Sequence, residues 1–97
     1  MFVVVINYTK PIEHVDAVRN EHLAWIGEQT KAGRLLLAGR QTSGKGGVLI
    51  FNVASRAEVE GYCKQDPYAQ NAVATYDYIE FDAKSGALAA QLTAAKV

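Results

Sequence analysis

The sequence predicts an α+β fold with the element order β-α-β-β-α-β, and three observations lead to it. Four runs rich in β-branched and aromatic residues, at 2–8, 35–39, 48–53 and 73–81, read as strands. Two stretches with apolar residues at helical spacing, 12–32 and the segment after Ser55, follow the first and third runs. Only a polar, glycine-rich connection, 41–47, separates the second and third runs, which makes them a hairpin with a long loop. This order is the split-βαβ, ferredoxin-like arrangement, with two helices over one face of a four-stranded antiparallel sheet.

The elements follow in turn. In the first strand Phe2, Val4, Ile6 and Tyr8 share one face and Val3 and Val5 the other. A strand apolar on both faces needs cover on both. Pro11 suits the first turn of a helix, with Thr9 or Lys10 ahead of it. Along 12–32 the residues Val15, Val18, His22, Trp25, Ile26 and Gln29 form one stripe, while Glu13, Asp16, Glu21, Glu28 and Lys31 fall elsewhere. Gly33 supplies the C-terminal cap. Ser55 and Glu58 form a capping box for a second helix that carries Val59 and Tyr62 and ends near Lys64. Asp66-Pro67 reads as the cap and first residue of one more helical turn. Residues 1–82 thus form the domain, and 83–97 an Ala-rich tail with Leu88, Leu92, Ala94 and Ala95, expected as a short helix that docks on a neighbouring subunit or frays.

Composition excludes several classes. Hydrophobic residues at 49% and charged residues at 21% exclude a disordered or collagen-like chain. Ten basic and ten acidic side chains give no net charge, so the basic excess of a nucleic-acid binder is absent. The single cysteine, Cys63, allows neither an intrachain disulfide nor a CxxC metal site. The apolar run 2–6 is too short for a signal peptide or a membrane span, so a soluble, cytoplasmic protein is expected. A domain this small buries a modest share of its surface. Self-association would bury more, and a homodimer built sheet to sheet is the expected assembly.

The candidate chemistry centres on His22, which sits on the apolar stripe where an aliphatic residue would pack better. It is either a core histidine satisfied by a backbone carbonyl or a general base facing a pocket between helix and sheet, and the stripe alone does not separate the two. Asp66 is a good N-cap, a role worth typically about 1 kcal/mol. It is also a carboxylate able to fix the imidazole tautomer and stabilise the protonated ring. Arg19, three residues before His22, and Arg40, at the end of the second strand, are candidates for binding an anionic substrate oxygen at a pocket rim. The plainer reading of each is a weak surface ion pair. Tyr8, Tyr68, Tyr76 and Tyr78 can line a pocket, although strand aromatics usually pack; Tyr76 is taken as the substrate contact.

Other features carry less. Residues 39–45 spell G-x-x-x-x-G-K, but Gly46 stands where a P-loop has Ser or Thr and a strand follows instead of a helix, so nucleotide binding is rejected. His14 lies off the stripe and is expected in solvent. Two histidines without a cluster make no zinc site, and nothing around Cys63 lowers its pKa.

The succession Phe2-Val3-Val4-Val5, Arg19-x-x-His22-Leu23, Gly33-x-Leu35-x-x-Ala38-Gly39, Gly47, Ser55-x-x-Glu58 and Asp66-Pro67-Tyr68 resembles the YciI-like (YCII-related) family over roughly residues 2–82. The resemblance implies a ferredoxin-like fold, a dimeric α+β barrel and an active-site His–Asp pair that maps onto His22 and Asp66, with the helix arginine on Arg19. Arg40 departs from the pattern, which commonly has Pro after Ala-Gly. The departure alters the following loop or marks a substrate adaptation. Within the family the resemblance points to the chloro-hydroxyhydroquinone dehydrochlorinase subgroup. It implies a cofactor-free acid–base enzyme, a lyase or isomerase, acting on a small oxygenated ring. Most members have no assigned reaction, so the alternative is a non-catalytic small-molecule-binding or accessory dimer.

Overall fold

A computed structural model of the chain describes residues 1–94, so the last three residues of the expected tail, 95–97, lie outside the described residues. The described elements are β1 (Phe2–Tyr8), α1 (Ile12–Ala17), α2 (Arg19–Lys31), β2 (Leu35–Arg40), β3 (Gly46–Phe51), α3 (Arg56–Cys63), α4 (Pro67–Gln70), β4 (Ala74–Glu80) and α5 (Ala89–Ala94). The strands form one sheet in the order β2-β3-β1-β4, every neighbour antiparallel. Among the described residues, no helix is long and apolar enough to cross a membrane.

The sheet sorts its side chains by parity. Phe2, Val4 and Ile6 of β1 stand opposite Phe51, Leu49 and Gly47 of β3, and the large members of this set are buried. Val15 and Trp25 from the helices, with Val59, Cys63 and Tyr68, close this core. Each fully buried aliphatic or aromatic side chain here contributes about 1.5–3 kcal/mol. The opposite parity, Val3, Val5, Val48, Ile50, Leu37 and Ile79, forms a second apolar face, turned away from the core. On it Leu37 is 67% and Ile79 56% exposed.

Three expectations need correction. The helix over 12–32 is two helices: Val18 (φ −111°, ψ 8°) bonds its amide to the Val15 carbonyl three residues back, which tightens the turn and starts a new axis at Arg19. Pro11 is the cap of α1 and not its first residue, because its extended ψ of 151° leaves only its carbonyl for the helix, accepting from the His14 amide at 2.9 Å. The third strand begins at Gly46, two residues early. An added Cβ at Gly46 would lie 1.8 Å from the Ile6 carbonyl oxygen, so glycine there lets the strands approach. Gln29, the polar member of the stripe, is buried and accepts from Arg34 Nε at 2.9 Å.

The register of β2 carries the functional consequence. Leu35 pairs with Phe51 and Leu37 with Ile50, so Leu36 is an extra residue, a β-bulge. A one-residue slip moves every later side chain to the other face. Beyond the bulge Ala38 stands opposite Leu49 and Arg40 opposite Gly47, both on the helix side of the sheet.

Candidate active site

Two local structures bring the central pair together. The new axis at Arg19 carries His22 on the sheet-facing side of α2, with its amide on the Val18 carbonyl at 3.0 Å. Asp66 caps α4 with Pro67 next to it, and its Oδ1 accepts from the Tyr68 amide at 3.1 Å. The carboxylate therefore sits at a fixed height above the sheet, and His22 Nδ1 lies 2.8 Å from the same Oδ1. The capping and imidazole-partner readings of Asp66 coexist in one side chain.

Asp66 is 0% exposed. A buried carboxylate is costly unless donors surround it. Here the Tyr68 amide and the imidazole reach Oδ1, and the Tyr76 hydroxyl donates to Oδ2 at 2.6 Å. Burial, then the charge of Asp66, pushes the Tyr76 phenol far above its ordinary range, so it remains a donor. With the carboxylate as acceptor, the tautomer assigned from the network places the proton on Nδ1 and leaves a lone pair on Nε2. The imidazole also stacks on the Tyr68 ring, centroids 3.9 Å apart and planes within 5°. Burial raises the Tyr68 phenol to about 12, so this ring stays neutral. Together the stack and the carboxylate fix the orientation of the histidine.

Beside the imidazole lies a hollow of about 290 Å³, roofed by α2 and floored by β1, β2 and β3. It exists because the helix-side positions of the floor include Ala38 and Gly47, which leave space under α2. Ile6, Leu23, Ile26 and Leu49 supply apolar walls. Cavities of about 150 Å³ hold a benzene ring, so one substituted ring fits.

The other anticipated residues separate. His22, Arg19 and Arg40 all line the hollow. Arg19 Nε bonds Asp16 Oδ1 at 3.0 Å, and its Nη2 contacts the same oxygen, a pairing that raises the guanidinium pKa. Tyr76 is not part of the wall: β4 places it behind Asp66, so it holds the carboxylate and does not face the hollow. His14 is exposed on α1, and residues 41–45 are a hairpin loop with Gly44 at φ 76°, not a phosphate cradle. Cys63 is buried, its thiol pushed up to about 12 by desolvation. Among the described residues no three His, Cys, Asp or Glu side chains cluster to hold a metal ion. Of the tyrosines read as able to line a pocket, Tyr8 and Tyr68 do so; that Tyr68 also stacks on His22 was not anticipated, although its place two residues after the cap was the available signal. Leu23, 53% exposed, was missed as a wall residue because it lies off the buried stripe.

Fold and site together define a ferredoxin-like α+β protein with an imidazole–carboxylate pair at the edge of an apolar hollow. The model of the YCII-related domain matches residues 1–82, and the chain belongs to that family. Among solved structures it is similar to the 5-chloro-2-hydroxyhydroquinone dehydrochlorinase TftG of Burkholderia phenoliruptrix AC1100, solved in complex with 2,5-dihydroxybenzoquinone. The identity is 17%, the TM-score 0.69, and the match covers 89% of this chain and 96% of that one. No curated protein sequence matches this chain.

Proposed function

We propose that this protein is a cofactor-free acid–base enzyme of the lyase or isomerase type, acting on a small oxygenated ring such as a chlorinated hydroxyhydroquinone. The supporting observation is the 2.8 Å contact between His22 Nδ1 and the buried Asp66, made at the edge of a ring-sized hollow. In a dehydrochlorination Nε2 of His22 takes a ring hydroxyl proton and returns it to the carbon bearing chlorine. A second hydroxyl proton is then lost as chloride departs with its bonding pair. The sum is loss of HCl and formation of a hydroxyquinone; the ring is oxidised as the C–Cl bond is reduced, so no outside oxidant enters. Asp66 stabilises the imidazolium, and Arg19 stabilises the phenolate that forms. Two copies, working in the cytoplasm, pack sheet to sheet over the face that leaves Leu37 and Ile79 exposed.

The test is chloride release from 5-chloro-2-hydroxyhydroquinone by wild type, His22→Ala and Asp66→Asn. Acid–base help of this kind is worth roughly 10²–10⁴-fold, and both variants should lose a comparable share of the rate. Ring binding with no chloride release by the wild type would replace the enzyme with a small-molecule-binding dimer, and unchanged rates in both variants would remove the dyad from the chemistry.

A further inference from the structure

We infer that Arg40 makes the hollow selective for a ring that carries an anionic substituent, such as a carboxylate, besides the hydroxyl presented to His22. The inference rests on the ring-binding reading of the hollow and adds the charge of its ligand.

Three observations carry it. The Leu36 bulge turns Arg40 to the helix side; without the extra residue the parity of β2 would place it on the open face. Arg40 lines the hollow, and no ion pair or side-chain hydrogen bond engages its guanidinium among the described residues. Finally, the wall contains Arg19, His22 and Arg40 and no carboxylate. Asp16 offsets Arg19 and Asp66 stands behind the imidazole, so Arg40 is the uncompensated cation of the wall. A guanidinium presents a planar fork of donors that matches a carboxylate, and such a bond is stronger in a partly apolar hollow than in water.

The contribution is measured by isothermal titration calorimetry with two ligands of matched size, 2,5-dihydroxybenzoate and 2,5-dihydroxybenzamide. Wild type should bind the acid about tenfold more tightly than the amide, and less so in high salt. Arg40→Gln should bring the two affinities within about twofold of each other, and Arg40→Lys should keep part of the preference. Equal affinities in wild type, a preference that survives Arg40→Gln, or no binding of either ligand overturns the inference. Neither probe carries a leaving group, so the result does not depend on turnover. A charge preference without chloride release sinks the enzyme reading and leaves this one standing, whereas chloride release without the preference does the reverse.

Discussion

The two ends of the hollow are built differently. At the buried end Asp66 is held by the Tyr68 amide, the His22 imidazole and the Tyr76 hydroxyl, and no atom of it meets solvent. At the open end Arg40 stands exposed on an edge strand with no ion pair among the described residues, and Leu23 is half out in solvent. The buried end is over-determined, so a change there disturbs structure and chemistry together. At the open end no ion pair among the described residues engages Arg40, so a change there should leave the fold intact. The hollow thus joins a rigid imidazole–carboxylate end to an open rim.

The sharpest way to break the contrast is Asp66→Ala. It removes the cap of α4 and strands two side-chain donors in the interior, and urea unfolding should show a loss of about 3–5 kcal/mol. Tyr76→Phe is milder: it leaves Asp66 Oδ2 without its donor while keeping the ring, and should cost about 1–3 kcal/mol in the same assay. A smaller effect per step lies in alkali. The Cys63 thiol is raised from 9.0 to about 12 by burial, so its contribution is complete below pH 9 and is lost as pH rises toward 12. The slope from this group cannot exceed about 1.4 kcal/mol per pH unit. The urea midpoint should therefore fall above pH 9, less steeply in Cys63→Ala, and the thiol should resist thiol reagents until the protein unfolds. At the bottom of the scale, Arg40→Gln should change stability by less than about 0.5 kcal/mol, since nothing in the fold leans on its guanidinium. A large loss in that variant would mean the rim is as constrained as the buried end.

Much of the fold was legible because its signals are local. The two apolar faces of β1, the Ser55 cap, whose hydroxyl accepts from the Glu58 amide at 3.2 Å, and the Asp66-Pro67 turn each depend on a few neighbouring residues. The stripe through Val15, His22 and Trp25 was legible for the same reason, although the turn at Val18 that divides it was not. What escaped depends on pairing. The bulge at Leu36 exists only relative to β3, and no pattern within β2 announces that its parity changes there. Tyr76 reads as any strand aromatic until β4 is set beside β1 and its hydroxyl meets Asp66, ten residues away in sequence. The plainer reading of Arg19, a surface ion pair, was legible in kind, and its partner Asp16 stands at i,i+3 spacing.

The proposed role of His22 as base is tested most directly by chloride release from His22→Ala with and without added imidazole. The rate should fall by roughly 10²–10⁴-fold and recover in part when imidazole occupies the vacated space against Tyr68. A His22→Ala enzyme that releases chloride as fast as wild type would contradict the account, whatever the geometry of the pair.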